Sequence, residues 1–258
     1  MTTTRTWTYF HTIGLLLIVV AIAVISFRVT PETRVEVWVV VIALLLLFAL
    51  ISGHGVTGYW RAVLIDDSNR ISLSRLQMVM WTVMVLSGFL TAALSNVRAG
   101  DVMNPLDIAI PEQVWVLMGI ATTSLIGSPL LKSAKKDKEP DPGEVQAMEE
   151  EMKKRGKDPS HVKRRGHLIA NASPADAWWS DVFTGEEVGN ATHFDLGKVQ
   201  MFYFNVIAVL AYAAALGTIL KTSTGAITEF PGLSTGMLAL LGVSHGGYLA
   251  NKTLPHTT

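Results

Sequence analysis

Apolar residues along this chain gather into long blocks divided by short polar stretches, without the period of an amphipathic helix or the alternation of a half-buried strand. A helix needs roughly 20 mostly apolar residues to cross the hydrocarbon layer of a bilayer. Six segments approach that length: Thr12–Phe27, Val35–Ser52, Leu76–Asn96, Val114–Leu131, Val199–Leu220 and Leu233–Ala250. The first two are almost pure Leu, Ile, Val and Ala, whereas the fourth and sixth carry Thr, Ser, Gly and one His. Arg5 supplies the basic flank of a signal peptide, but "SFRVTPETR" follows the first block and no small-x-small cleavage site does. That block therefore reads as a retained helix.

The polar landmarks between the blocks recur in order. "SLSRLQMVMW" at Ser72–Trp81 resembles "DLGKVQMFYF" at Asp195–Phe204. Upstream of each stand an aromatic pair (Tyr59-Trp60, Trp178-Trp179), an acidic pair (Asp66-Asp67, Glu186-Glu187) and an Asn (Asn69, Asn190). Downstream of each come Pro111 or Pro231, then Ser124 or Ser244, Gly127 or Gly247, and Lys132 or Lys252. An ordered series at a spacing of about 120 reads as a tandem duplication of a loop–helix–loop–helix unit, the kind of internal repeat to look for first. Both units would enter the membrane from the same side, as in parallel transporter repeats. The expected fold is an all-α membrane protein of six transmembrane helices, two N-terminal ones followed by a tandem parallel repeat of a helix pair. Its linear segments are an N-terminal pair (1–53), a first repeat (54–132), a charged insertion (133–170) and a second repeat (171–258).

Composition agrees, with half the 258 residues hydrophobic and 16% charged. Charge sets the orientation, because Lys and Arg accumulate in cytoplasmic loops near membrane spans. Residues 132–198 hold 12 of the 21 basic residues, and Arg61, Arg70 and Arg75 lie between the second and third spans. Both termini are thus expected in the cytoplasm of a multi-pass plasma-membrane protein, in bacteria an inner-membrane one. The sequons at Asn171, Asn190 and Asn251 would then face the cytoplasm and stay unmodified. Trp7, Tyr9, Trp38, Trp60 and Trp115 near span ends are expected to anchor at the interface.

Within the insertion, Asp141 as N-cap, Pro142 at the first position, Glu149–Glu151 four residues before Lys153–Arg155, and Gly156 as a stop predict one short solvated helix with little to bury. The strip Lys153–Arg165 is a candidate contact for anionic lipid or a cytoplasmic protein.

Three sets of residues carry candidate chemistry. The elbows, with Asp66, Asp67, Asn69, Glu186, Glu187 and Asn190, offer oxygens that either favour a helix N-terminus, with Ser72 or Asp195 as caps, or form a gating or cation site. Gln77 and Gln200 start matching spans and are expected to bond to one another or to line a cytoplasmic mouth, and Thr82 and Asn205 further in invite the same two readings as candidate pathway residues. Thr122, Thr123, Ser124, Ser244 and His245 put hydroxyls and an imidazole within spans four and six. Gly119, Thr123 and Gly127, with Gly242 and Gly246, have the spacing of close helix packing in lipid.

Absent motifs exclude much. The chain has no cysteine, no P-loop and no HExxH, and its scattered histidines are expected to form no cluster. No span has a central Asp, Glu, Lys or Arg, which disfavours ion-coupled transport through an intramembrane carboxylate. The expectation is a non-enzymatic, homo-oligomeric channel or passive permease, without cofactor or nucleic-acid partner, whose pathway runs along the polar fourth and sixth helices. The alternatives are a membrane-anchored scaffold acting through its basic loop and a divalent-cation sensor on the acidic elbows.

Overall fold

A computed structural model describes residues 6–100, 103–254 and 256–257; Arg5 lies outside them. The protein is mostly helical. Its α-helices among the described residues are α1 (Tyr9–Ser26), α2 (Arg34–Thr57), α3 (Leu73–Ala99), α4 (Glu112–Ser133), α5 (Pro142–Lys154), α6 (Leu196–Thr222) and α7 (Thr235–Thr253). A two-stranded antiparallel sheet, β1 (Val162–Arg165) with β2 (Leu168–Asn171), follows α5. Five helices, α1 to α4 and α6, are long and apolar enough to cross a membrane. Helix α7 is less apolar because Ser244, His245, Asn251 and Lys252 occupy its second half. The membrane helices run past their apolar blocks by a turn or so, since polar end residues extend a helix as readily as apolar ones.

Contacts divide the chain into two compact units, one of Met1–Val63, Val79–Met118 and Val206–Leu238, the other of Leu64–Met78, Gly119–Asn205 and Ala239–Thr258. In the first unit, α2 lays Val37 and Val41 against Val29, Leu90 and Leu94. Trp38 does not anchor at an interface. Its ring is buried and its Nε1–H donates to Ser87 Oγ at 2.9 Å, because the indole needs one acceptor and the α3 hydroxyl supplies it. Trp7, Tyr9, Trp60 and Trp115 are exposed. Arg34 is buried and donates to Ser95 Oγ (2.6 Å) and to the carbonyls of Ser223 and Gly225 just past α6, where the helix dipole favours a cation. The loops after α3 and α6 pair as a parallel bridge, Ala109 to Glu229, and Asn96 clamps both backbone groups of Ile227. His11 and His54, expected apart, meet at 2.9 Å because α1 and α2 return antiparallel, and Trp60 stacks on His54.

Close helix approach also differs from the spacing-based expectation. Space is open where Cβ atoms would stand on Gly119, Gly242 and Gly246, and Gly127 meets only Leu249. A glycine that does allow close helix approach is Gly88 on α3, whose Cβ would stand 2.6 Å from a methyl of Leu216 on α6.

The second unit packs Ile65, Ile71, Leu73, Ala177, Val182, Met201 and Tyr248 into one core. Its two elbows are built alike. Ile65 bridges Ile71 and Thr184 bridges Phe194, while Ser72 N donates to Leu64 O and Asp195 N to Phe183 O, each at 2.8 Å. The helices that follow, α3 and α6, both have 27 residues. They begin 123 positions apart, as do α4 and α7. Helix α5 starts at Pro142 under the Asp141 cap, and Gly156 adopts a left-handed φ of 70°. It is not merely solvated: Val145, Met148 and Met152 share one face and pack on Ile169 and Val188, which the charged flanks concealed. Of the three expected helix pairs, Glu151 with Arg155 forms, at 2.8 Å.

Candidate functional site

Within the second unit, α4 carries Ser124, Ser128 and Lys132 four residues apart, so their side chains stack along one face, and all three are buried. Helix α7 aligns Ser244, His245, Tyr248 and Lys252 in the same way, and the first turns of α3 bring Ser74 and Gln77. Together they make a polar file. At its inner end the His245 ring is held at both nitrogens, Nδ1 at 2.7 Å from Ser124 Oγ and Nε2 at 3.1 Å from Gln77 Nε2. An amide nitrogen only donates, so Nε2 accepts from it and the ring proton sits on Nδ1. Gln77 Oε1, Ser74 Oγ and Ser244 Oγ are buried without a hydrogen-bond partner. Orphaned polar atoms in a buried site mark a second bonding arrangement or a water position.

At its outer end the file meets a group of ion pairs centred on Glu186. That carboxylate accepts from Lys132 (2.7 Å), Lys198 (2.7 Å) and Lys252 (3.1 Å). Burial alone would raise the Glu186 carboxyl, but Lys132, Lys198, Lys252 and Arg70 outweigh it and hold the group well below the usual carboxylate range. Each terminal lysine returns to the acid of its own elbow: Lys132 reaches Asp66 at 3.2 Å, as Lys252 reaches Glu186. Both stand at helix C-termini, where the dipole favours them. Lys252 also donates to Ser128 Oγ, which joins the ion pairs to the file. Lys135 pairs with Glu187 at 2.6 Å, and Arg70 lies 3.8 Å from Asp181 while donating to Gly185 O and Thr184 Oγ1.

The candidate residues separate clearly. Gln77, Ser124 and His245 come together, and Ser244 is buried on α7 with no hydrogen-bond partner. Gln77 does not pair with Gln200, whose side chain is exposed on α6, because His245 offers Gln77 an acceptor. Asn205 is buried on α6, Thr82 is half-buried on α3, and Thr122 and Thr123 are exposed on α4, the latter bonding back to Gly119 O. In the elbows, Asp66 Oδ1 accepts from the backbone of Ser68 and Arg70, Asn69 adopts a positive φ of 55° and donates to Asn171 O, and Asn190 Oδ1 accepts from Glu187 N. Asp67 is exposed and reaches Lys136 at 3.5 Å. Asp195 caps α6 through Lys198 N, whereas Ser72 contributes its carbonyl. Among the described residues no three His, Asp or Glu side chains converge as a metal site requires. Ser128, Lys132, Lys198 and Lys252 belong to the site without any motif announcing them, although the four-residue spacing of Ser124, Ser128 and Lys132 is a usable signal.

A separate cavity of about 280 Å³ lies between the α5 segment and the second elbow, with Arg70, Asn171, Asp176 and Asp181 in its wall. At its edge His161 Nδ1 lies 2.6 Å from Asp176, and that bond raises the His161 pKa. No protein-family model, curated protein or solved structure matches the chain.

Proposed function

We propose that this protein is a multi-pass membrane channel or passive permease, a homo-oligomer whose polar route enters from the cytoplasm beside Glu186 and continues along α4 and α7. The observation that carries the reading is the hydrogen-bonded series Ser124, His245 and Gln77, fully buried yet holding orphaned polar atoms. A purely structural helix contact in lipid leaves fewer such groups unsatisfied. Under this reading α7 is a sixth span, tolerating its polar residues because they face the protein, and both termini are cytoplasmic. The tandem repeat is supported by the twin elbows, the 123-residue offset and the matching lysine-to-elbow pairs.

The test is the passage of ions and small solutes through the purified protein in planar bilayers and vesicles, beside a Ser124→Leu/His245→Leu variant. Flux in the wild type that changes in the variant supports the route; equal behaviour of protein and empty bilayer across ions, solutes and voltages overturns it. A second reading, docking to anionic lipid or a partner, draws on the exposed Lys153, Lys154, Lys163, Arg164 and Arg165. Reversing the charge of Lys163, Arg164 and Arg165 should then abolish dependence on anionic lipid, and an unchanged lipid response would sink it.

A further inference from the structure

We infer that His245 carries protons through the file, with Gln77 as the positioning residue that serves both protonation states of its ring. The inference rests on the permease reading above and names its substrate.

The geometry provides two states from one set of atoms. In the state described, Gln77 donates through Nε2 to the lone pair on His245 Nε2, and Nδ1–H donates to Ser124 Oγ. Gln77 Oε1 is then left buried with no partner. Turning the amide by half a rotation about its last side-chain bond exchanges its oxygen and nitrogen. Oε1 would then stand where an acceptor is needed for a proton on Nε2. An imidazolium at this position keeps both N–H groups bonded, one to Ser124 and one to Gln77. The orphaned oxygen is what the second state uses.

One transfer runs as follows. The amide turns first and withdraws its N–H from the Nε2 lone pair; a hydronium ion then gives its proton to Nε2 and leaves as water, and Oε1 accepts from the new N–H. The Nδ1 proton then passes to Ser124 Oγ as the serine releases its own proton to a water molecule on its Ser128 side, which leaves as hydronium. The ring is neutral again as its Nε2–H tautomer, one proton has moved, and return of the ring to the Nδ1–H tautomer with the amide turned back readies the site for the next. The groups around the ring suit this. Gln77 from α3 and Ser124 from α4 are uncharged, Tyr248 lies on the ring's own helix, and the charged groups Lys132, Lys252 and Glu186 are at the outer end of the file. A ring bonded directly to a carboxylate or an ammonium would instead be held in one charge state. Ser74 Oγ, one turn from Gln77 on α3, and Ser244 Oγ are further unpartnered atoms that can hold the delivering water.

The test uses the full-length protein in vesicles containing a pH-sensitive dye, with a potassium gradient and valinomycin to impose a voltage. Wild type should acidify the lumen at least tenfold faster than empty vesicles, His245→Gln should fall to the empty-vesicle rate, and Gln77→Leu should lose most of the flux. Potassium or chloride flux in the wild type without proton flux overturns this inference and leaves the permease standing. No flux of any species overturns both, and a wild-type proton rate in His245→Gln overturns the proton role alone. Nitrogen NMR on ¹⁵N-histidine protein gives an answer that holds even if the variant misfolds. Both the Nδ1–H and the Nε2–H tautomers of the ring should be detected, since one transfer converts the first into the second; a ring fixed in one tautomer throughout is only structural.

Discussion

Glu186 draws on three ammonium groups at once, and its removal has a calculable consequence. Replacing it with Gln leaves Lys132, Lys198 and Lys252 buried around an amide, and stripping one partner from a buried ion pair costs about 3–5 kcal/mol. Glu186→Gln should therefore lose helicity at a clearly lower temperature in detergent, by circular dichroism. The same carboxylate sets a pH dependence. Its pKa in the folded protein lies below the ordinary value of 4.5, so the unfolded chain takes up the proton first. The stabilisation is present above that value and is lost as pH falls beneath it; melting temperature followed downward from pH 4.5 should show a slope that Glu186→Gln lacks. His161 behaves oppositely. Held by Asp176, it keeps its proton above its ordinary value of 6.5, so that bond is complete at lower pH and fades as pH rises through the elevated pKa. The ring proton resonances of His161 should titrate above 6.5 and return toward it in Asp176→Asn.

Helix α5 shows which signals travel well from sequence to structure. Its cap, first-turn proline and left-handed stop are local, each decided within four residues, and all were legible. Its buried face was not, because Val145, Met148 and Met152 are three apolar residues among many charges, and what covers them, Ile169 and Val188, lies beyond a hairpin. Met148→Ala should cost about 2–5 kcal/mol locally and open the α5 segment to limited proteolysis while the membrane helices remain folded. Trp38 and Gln77 were misjudged for the same reason. Their partners, Ser87 and His245, lie 49 and 168 residues away in sequence, and nothing local identifies which hydroxyl or ring will meet a buried polar group. The apolar blocks, by contrast, are long enough that five of them could be read as spans without knowing any contact.

For the whole molecule, the absence of cysteine makes the orientation directly testable. Lys153→Cys and Met103→Cys, both at exposed positions, should react with an impermeant thiol reagent from opposite faces of the membrane, Lys153→Cys from the cytoplasm. Labelling of both from one side would overturn the proposed topology. The proposed duplication would carry a further consequence. At the 123-residue offset of the paired helices, Gln77 corresponds to Gln200 and His245 to Thr122, yet one Gln is buried against the imidazole while Gln200 and Thr122 face outward. A pair of identical half-length chains could not make that choice, since each substitution would appear twice. Joined in one polypeptide, repeated units are free to diverge: a single histidine can be confined to one position while a threonine holds the matching one, so the site need exist only once.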